Sequence, residues 1–366
     1  MRKKILILYE EKHPFLGDSC INFDKLGYLR WFIPDGDIDF NFLPDRFSFY
    51  QALLTHNPHV DRAFAMGWAE IDFGSYDLVL CVTYREEELE AFLRDCYGPS
   101  GGRRPEVLSL SLILAAGEAA KPVFPVYAAF IRYVQEIATD RPRMLYLSWE
   151  EREWGGHWLE ERGVKREDEV FVLIDSTSSK DKLINIFVYF NLLTALLKRE
   201  HARVLIFDEK QVGKEEFYRE WLGSAGNGKL VFSKGQTLRE DLCLLAAAQT
   251  RLIFGPCSGL IHCASSLYNH YVAGGLERAD VPLIIAYTGQ YPPNDRNAHY
   301  WWHNSPLVDC LLLKMRNNRK ELVTLDSLSY EERNLSDELS CSEYTEELLA
   351  GFLRERLGKS QQTLQQ

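Results

Sequence analysis

Arg251-Leu252-Ile253-Phe254-Gly255-Pro256-Cys257-Ser258-Gly259-Leu260-Ile261-His262 is the stretch that decides the fold. A predicted strand, Arg251–Phe254, runs into a loop of small residues, and an apolar helix then extends to Leu267. Small residues at such a turn let backbone N–H groups approach a diphosphate, and the helix N-terminus adds roughly half a positive charge. Ser258 and Gly259 are the expected phosphate contacts. An ordinary strand-to-helix turn with Ser258 as N-cap accounts for the same residues equally well. His262 lies one turn into the helix, where packing or capping competes with a role at a site.

On either side the same alternation repeats. Predicted strands cover Val170–Ile174, Arg203–Phe207, Lys229–Phe232 and Pro282–Tyr287, with helices Ile184–Arg199, Lys214–Leu222 and Leu238–Ala248 between them. Alternation of this kind produces a parallel sheet covered by helices. Further on, the signal weakens to a strand at Val308–Leu313, a polar stretch, a helix near Tyr344–Leu357 and a Gln-rich end at Ser360–Gln366 expected to fray.

The N-terminal half carries a second series. Strands are expected at Lys4–Tyr9, Asp37–Leu43, Leu78–Val82 and Val107–Leu110, and helices at Ile21–Phe32, Phe47–His56, Glu86–Arg94 and Ala129–Asp140. A strand at Met144–Leu147, a helix Glu150–Arg162 stopped by Gly163 and a polar linker Val164–Glu169 lead into the second series. The expected fold is therefore α/β, two Rossmann-like domains facing a central cleft. The first spans 1–165, the second 166–340, and 341–366 forms a C-terminal helix packing back on the first.

With 366 residues, two domains are the natural division. A 46 % apolar and 26 % charged composition is that of a folded globular protein. The net charge of −11, unbroken by a Lys/Arg stripe, excludes a nucleic-acid footprint. It leaves room for a small anion, which a few convergent positive groups can hold. The eight cysteines show no CxxC pair and fit a reducing cytoplasm. The N-terminal apolar run Ile5–Tyr9 is too short for a signal peptide, and no apolar stretch reaches membrane-spanning length, so membrane contact is expected to be peripheral at most. No metal-ligand cluster stands out: His56 and His59, or His299 and His303, have no Cys or carboxylate at ligand spacing. Neither a metal nor a cofactor is expected.

Two more loops follow predicted strands. His13-Pro14-Phe15-Leu16-Gly17-Asp18-Ser19 follows the first, and because ligands in open α/β sheets lie beyond the carboxyl ends of strands, Asp18 can face a substrate and act as a general base. Gly17 and Ser19 flank it in this acceptor-side loop; an N-cap aspartate is the competing reading. The loop Ser176-Thr177-Ser178-Ser179-Lys180-Asp181-Lys182 supplies hydroxyls and ammonium groups suited to phosphate oxygens, against the alternative of a solvated polar loop. The aromatic segment Tyr287–Trp302, with Tyr291, Tyr300, Trp301 and Trp302, is expected to pack against a neighbouring domain or flank the site.

With these loops in this order the sequence resembles the heptosyltransferase family of glycosyltransferases, family 9, whose members have the GT-B fold. The resemblance rests on Gly17-Asp18, Asp37-Ile38-Asp39-Phe40, Pro58-His59-Val60-Asp61-Arg62, Tyr76-Asp77-Leu78, Ser178–Lys182, Thr237-Leu238 and Ser258-Gly259-Leu260 with His262 and Ala264. It implies an inverting glycosyltransferase that moves a sugar from a nucleoside-diphosphate sugar to a hydroxyl of a glycan or glycolipid, in lipopolysaccharide or cell-surface glycan synthesis. By this resemblance Asp18 is the catalytic base and Lys182 neutralises the leaving diphosphate. Ser258, Gly259 and Leu260 cradle that diphosphate, His262 supports the loop, and Thr177 and Ser179 line the donor side. Departures are plain: Cys257 stands where the family has an acid able to hold donor-sugar hydroxyls, Asp208-Glu209-Lys210 replace a glycine-containing turn, and Lys182-Leu183-Ile184-Asn185 replaces Lys-x-Trp-Pro.

Three alternatives stay open. One is another GT-B enzyme such as a sugar-nucleotide epimerase, and one is a non-catalytic nucleotide-sugar-binding or assembly protein. The weakest is a Rossmann dehydrogenase, because no GxGxxG follows the first strand.

Overall fold

In the computed structural model, residues 2–11, 15–98, 103–114, 122–137, 141–226, 228–290, 302, 305–333, 335 and 337–363 are described. The chain divides into two compact units, Met1–Arg141 and Pro142–Gln366. The division falls upstream of the expected 165/166 boundary, because the intervening segment folds with the second unit. The helix α5 (Trp149–Glu160), once the first four helices of unit 1 are counted, packs on the later helix Leu238–Leu245. The Val164–Glu169 segment is no linker: buried Asp168 accepts from the Lys165 N–H and pairs with Arg203 on the next strand.

Unit 1 contains β1 (Lys3–Glu10), α1 (Leu16–Gly27), β2 (Gly36–Phe42), α2 (Phe47–Leu54), β3 (Arg62–Phe64), β4 (Leu78–Thr83), α3 (Glu86–Cys96), β5 (Glu106–Ser109) and α4 (Ala128–Ile137). The strands form one parallel sheet in the order β3-β2-β1-β4-β5. β1 reads Ile5-Leu6-Ile7-Leu8-Tyr9 without polar interruption because both faces of a central parallel strand are covered. One core gathers Leu6, Leu8, Val79, Leu89 and Leu93. On the other face Tyr9, Phe23, Phe42 and Tyr50 pack as tilted, edge-on and stacked rings.

Unit 2 contains, after α5, β6 (Glu169–Leu173), α6 (Ile186–Leu197), β7 (Ala202–Asp208), α7 (Lys214–Leu222), β8 (Leu230–Lys234), α8 (Leu238–Leu245), β9 (Thr250–Pro256), α9 (Gly259–Ala273), β10 (Leu283–Tyr287), β11 (Val308–Arg316), β12 (Arg319–Thr324) and α10 (Glu346–Thr363). The sheet order is β12-β11-β10-β9-β6-β7-β8, with only β12 antiparallel. From β8 inward this is the 3-2-1-4-5-6 order of a Rossmann domain, and its direction reverses between β6 and β9. The corresponding reversal in unit 1 lies between β1 and β4.

Several expectations need correction. α1 begins at Leu16, five residues before the expected start, so Gly17, Asp18 and Ser19 lie in its first turn and not in a loop; its cap is Phe15. Met144–Leu147 is not a strand: the Leu145 N–H donates to the Ser266 carbonyl of α9 and no sheet receives it. The C-terminal helix α10 packs within unit 2, where the sequence placed it against the first domain. Leu349, Leu353 and Leu357 join the core of α6 and the sheet, and Arg356 pairs with Asp309. Tyr344, just before it, donates to the carbonyls of Thr288 and Leu311.

Candidate functional site

In a doubly wound sheet the loops on either side of the reversal splay apart and leave a crevice at the carboxyl ends of the strands. In unit 2 those loops follow β6 and β9, and every donor-side residue singled out from the sequence lies in them or in the first turn of α9. The two strands approach so closely there that a Cβ on Gly255 would lie 2.7 Å from the Ile174 Cβ and 2.9 Å from its carbonyl oxygen. Gly255 is thus needed for strand packing. The next residues are pinned to β10, since the Cys257 N–H donates to the Tyr287 carbonyl at 2.9 Å.

Ser258 takes the N-cap position of α9 with extended backbone angles, but its hydroxyl caps nothing in the helix. Its Oγ is buried and, among the described residues, has no hydrogen-bond partner. Gly259 and Leu260 form the first turn, whose N–H groups have no intrahelical acceptors. A hydroxyl, a set of open backbone donors and the positive end of a 15-residue helix thus coincide.

The β6 loop ends in a single 3-10 turn, Lys180–Lys182. Ser179 caps it by accepting from the Asp181 N–H at 3.3 Å, so its hydroxyl serves the loop itself, while Thr177 is half-buried upstream. The turn lies against the turn Cys341–Glu343, and the Lys182 charge bears weakly on Cys341 and on His262 of α9.

His262 is buried, 5 % exposed, and lies flat on the Trp302 ring at 4.2 Å with an interplanar angle of 11°. Its Nδ1 is 3.3 Å from an Arg143 guanidinium nitrogen. Burial first, then the charges of Arg143 and Lys182, hold its pKa well below the ordinary range, so the ring is neutral. Arginine only donates, so Nδ1 accepts and the ring proton resides on Nε2. The Trp302 half of the aromatic segment therefore packs inside unit 2. Tyr291, Tyr300 and Trp301, like His299 and His303, lie outside the described residues.

Sequence reasoning missed Arg143. It is buried, donates a second hydrogen bond to Ser305 Oγ at 3.3 Å, and has its carbonyl held by Asn269 Nδ2 at 3.0 Å. No local pattern marks it, because its significance comes from packing along α9, more than a hundred residues away.

In unit 1 the corresponding crevice lies past β1 and β4. His13 and Pro14 of the expected loop are outside the described residues. Asp18, half-buried, occupies the third position of α1, where a carboxylate is favoured by the helix dipole. Gly17 precedes it, and Ser19 turns inward to donate to Glu11 Oε2 at 3.3 Å. Glu11 also accepts from Asn22 at 3.3 Å and from the Tyr50 hydroxyl at 3.5 Å. Burial raises the Glu11 pKa, the Asp18 charge adds to the rise, and the hydrogen bonds oppose it. Next to it Glu10 is buried and accepts from Trp68 Nε1, the Thr83 hydroxyl and Arg85, whose guanidinium stacks on Trp68. Two acids directly after a buried strand were the available sequence signal for this cluster.

Among the described residues no group of three or more His, Cys, Asp or Glu side chains is arranged to hold a metal ion. No helix among them is long and apolar enough to cross a membrane.

Two doubly wound sheets in succession, parallel except for the edge strand β12, define the class: an α/β fold of two Rossmann-like domains. Solved structures place it more closely. The chain is similar to E. coli ADP-heptose lps heptosyltransferase II, with TM-score 0.62 and 15 % identity, 98 % of this chain and 99 % of that one being covered. It is similar to a glycosyl transferase family 9 protein from Veillonella parvula, with TM-score 0.60, 13 % identity and coverage of 97 % and 98 %. It is also similar to E. coli heptosyltransferase WaaC with ADP-2-deoxy-2-fluoro heptose, at 0.51, 14 %, and 96 % and 99 %. At these identities the likeness shows the GT-B fold. No protein-family model matches the chain, and no curated protein matches it in sequence.

Proposed function

We propose that this protein is an inverting, heptosyltransferase-like glycosyltransferase that moves a sugar from a nucleoside-diphosphate sugar to a saccharide or glycolipid hydroxyl. The observation that carries the reading is the buried Ser258 hydroxyl at the open N-terminus of α9, in the crevice at the sheet reversal of unit 2 to which the Lys182 loop also belongs. That is chemistry for a diphosphate. The relatives in fold are heptosyltransferases, one of them solved with an ADP-sugar analogue, which supports the same ligand class here.

In this reading Asp18 takes the proton of the acceptor hydroxyl, the oxygen attacks the anomeric carbon, and the bond to the diphosphate breaks on the opposite face. Charge developing on the leaving diphosphate is met by Lys182 and the α9 amides, so positioning and electrostatics supply the acceleration. Gly17 and Ser19 set the first turn that carries Asp18, and Leu260 extends the cradle. Thr177 and Ser179 shape the donor loop. Cys257, a thiol beside the cradle where the family has an acid, favours a donor whose hydroxyls do not require a carboxylate there. The protein then works in the cytoplasm, with at most peripheral contact at the inner membrane face, in the synthesis of a cell-surface glycan.

Incubation with a panel of nucleoside-diphosphate sugars and saccharide acceptors tests this. Acceptor-dependent nucleotide release that falls by at least 100-fold in Asp18→Ala is the expected result. Donor binding with no turnover identifies a binding protein instead, and interconversion of the sugar without an acceptor identifies an epimerase. Undiminished transfer in Asp18→Ala removes Asp18 from the mechanism.

A further inference from the structure

We propose that Glu11 is an acceptor-binding residue: with the Tyr9 and Tyr50 hydroxyls and Asn22 it forms a subsite in unit 1 for a hydroxyl of an uncharged sugar. This rests on the glycosyltransferase reading and names the class of acceptor, which that reading leaves open.

Glu11 directly follows β1, the strand that borders the sheet reversal of unit 1, where a doubly wound sheet opens its crevice. The two acids at this point differ in their surroundings. Glu10 is 2 % exposed and fully engaged: its three donors lie at 2.7–3.0 Å, and the Arg85 guanidinium offsets its charge. Glu11 is half-buried and receives only neutral donors, Ser19 Oγ and Asn22 Nδ2 at 3.3 Å and the Tyr50 hydroxyl at 3.5 Å. Hydrogen bonds to a carboxylate ordinarily lie at about 2.5–2.9 Å, so this one has lost water without gaining strong bonds in return. No Lys, Arg or His among the described residues pairs with it.

Tyr9 is the second observation. Its side chain is wholly buried and its hydroxyl bears on Glu11, yet that hydroxyl makes no hydrogen bond among the described residues. A buried O–H without an acceptor costs stability in the free protein, and a loosely held carboxylate beside it does too. One group that both donates and accepts relieves the two together: an alcohol hydroxyl gives its proton to Glu11 and receives the Tyr9 O–H. An ionised phosphate or carboxylate cannot do this, since it has no proton to give and Glu11 repels it. Arg46, the cation that acts on Tyr50, is itself paired with Asp45 at 3.3 Å.

The subsite adjoins the proposed base. Asp18 and Ser19 are consecutive in the first turn of α1; Ser19 donates to Glu11, and the Asp18 charge acts on it. A sugar held at Glu11 by one hydroxyl therefore lies at the end of α1 that carries Asp18.

The test is steady-state transfer by the full chain with methyl glycosides of the common hexoses, and their 6-phosphates, as acceptors. Glu11→Gln is expected to raise KM for the uncharged acceptor roughly 10- to 100-fold, the range for losing a hydrogen bond to a charged group, with KM for the donor unchanged. Tyr9→Phe deletes a hydroxyl that nothing in the free protein uses, so the melting temperature is expected to hold or rise while acceptor KM rises roughly 2- to 10-fold. The 6-phosphates are expected to be the poorer acceptors for the wild type and to gain on the uncharged sugars in Glu11→Gln. Should Glu11→Gln fail to fold, acceptor KM in Tyr9→Phe gives the answer. Unchanged acceptor KM in folded Glu11→Gln, or a wild-type preference for the 6-phosphates, overturns this proposal and leaves the glycosyltransferase reading intact. A lowered melting temperature with unchanged acceptor KM in Tyr9→Phe makes the hydroxyl structural and overturns it as well. If the wild type transfers to none of these glycosides, the transferase reading carries that failure, and saturation-transfer NMR decides the subsite: glycoside contacts that are lost in Glu11→Gln support it, and contacts that are absent or equal in both proteins overturn it.

Discussion

Replacing Gly255 by alanine puts one methyl group at the point where the two site-bearing strands of unit 2 come closest. The new Cβ would be 2.7 Å from the Cβ of Ile174 and 2.9 Å from its carbonyl oxygen. Carbon atoms in van der Waals contact sit at about 3.5–4.0 Å, so β6 and β9 must separate by roughly 1 Å at their carboxyl ends. The carbonyl belongs to the main chain, and no rotamer change relieves it. Overpacking of this size costs about 1–3 kcal/mol, which in a unit of this length lowers the melting temperature by about 2–10 °C. Because the loops carrying Lys182 and Ser258 are displaced together, nucleotide affinity is expected to fall in parallel. Differential scanning calorimetry, with and without added nucleoside diphosphate, measures both effects. Ile174→Gly in the Gly255→Ala background should recover only part of the loss, since the carbonyl contact persists. An unchanged melting temperature and unchanged nucleotide affinity in Gly255→Ala would refute the close approach on which this site geometry depends.

Two further outcomes concern stability. Asp241, 5 % exposed and hydrogen-bonded by Ser233 at 2.6 Å, has its pKa pushed up by burial, with Glu209 and Glu240 adding to it, from 3.8 to about 7. The unfolded chain gives up this proton more readily, so stability falls as pH rises from about 4 to about 7, by at most roughly 4 kcal/mol. The difference between wild type and Asp241→Asn in urea titrations should widen across that window and stay constant above it; a pH-independent difference would contradict the assignment. Separately, Asn317 and Asn318 join β11 to β12 with φ of 50° and 59°, a two-residue turn with both positions left-handed. Asn318→Val should cost about 1–2 kcal/mol by denaturation and Asn318→Gly almost nothing; equal losses would rule out the left-handed turn.

Where the fold was legible, the reason is burial on both faces. β1, β4, β6, β7, β9 and β10 read as unbroken apolar runs because parallel strands under two helical layers have no solvent side. β12 was missed for the opposite reason: Arg319, Lys320 and Glu321 are exposed on an edge strand. The start of α1 was placed late because Phe15 offers no capping side chain. Met144–Leu147 has strand composition, and its partner is a helix. At the candidate site, Ser258 and Lys182 were singled out because loop residues after strands carry a local signature. Arg143 and Glu11 were not, since each acquires its environment from side chains of distant segments: His262 and Ser305 for one, Tyr50 and Asn22 for the other.

The adjacency of β6 and β9 also bears on the order of folding. Val170 pairs with Thr250, so this ladder closes a loop of about 80 residues, within which β7 and β8 pair on the far side of β6. Local pairings of β6 through β8 form at smaller entropic cost and are expected first; the long closure comes after. The crevice between the loops after β6 and β9 does not exist until that step is complete. Ligand present during refolding should therefore leave the early phases unchanged and act by slowing the reopening of the finished sheet.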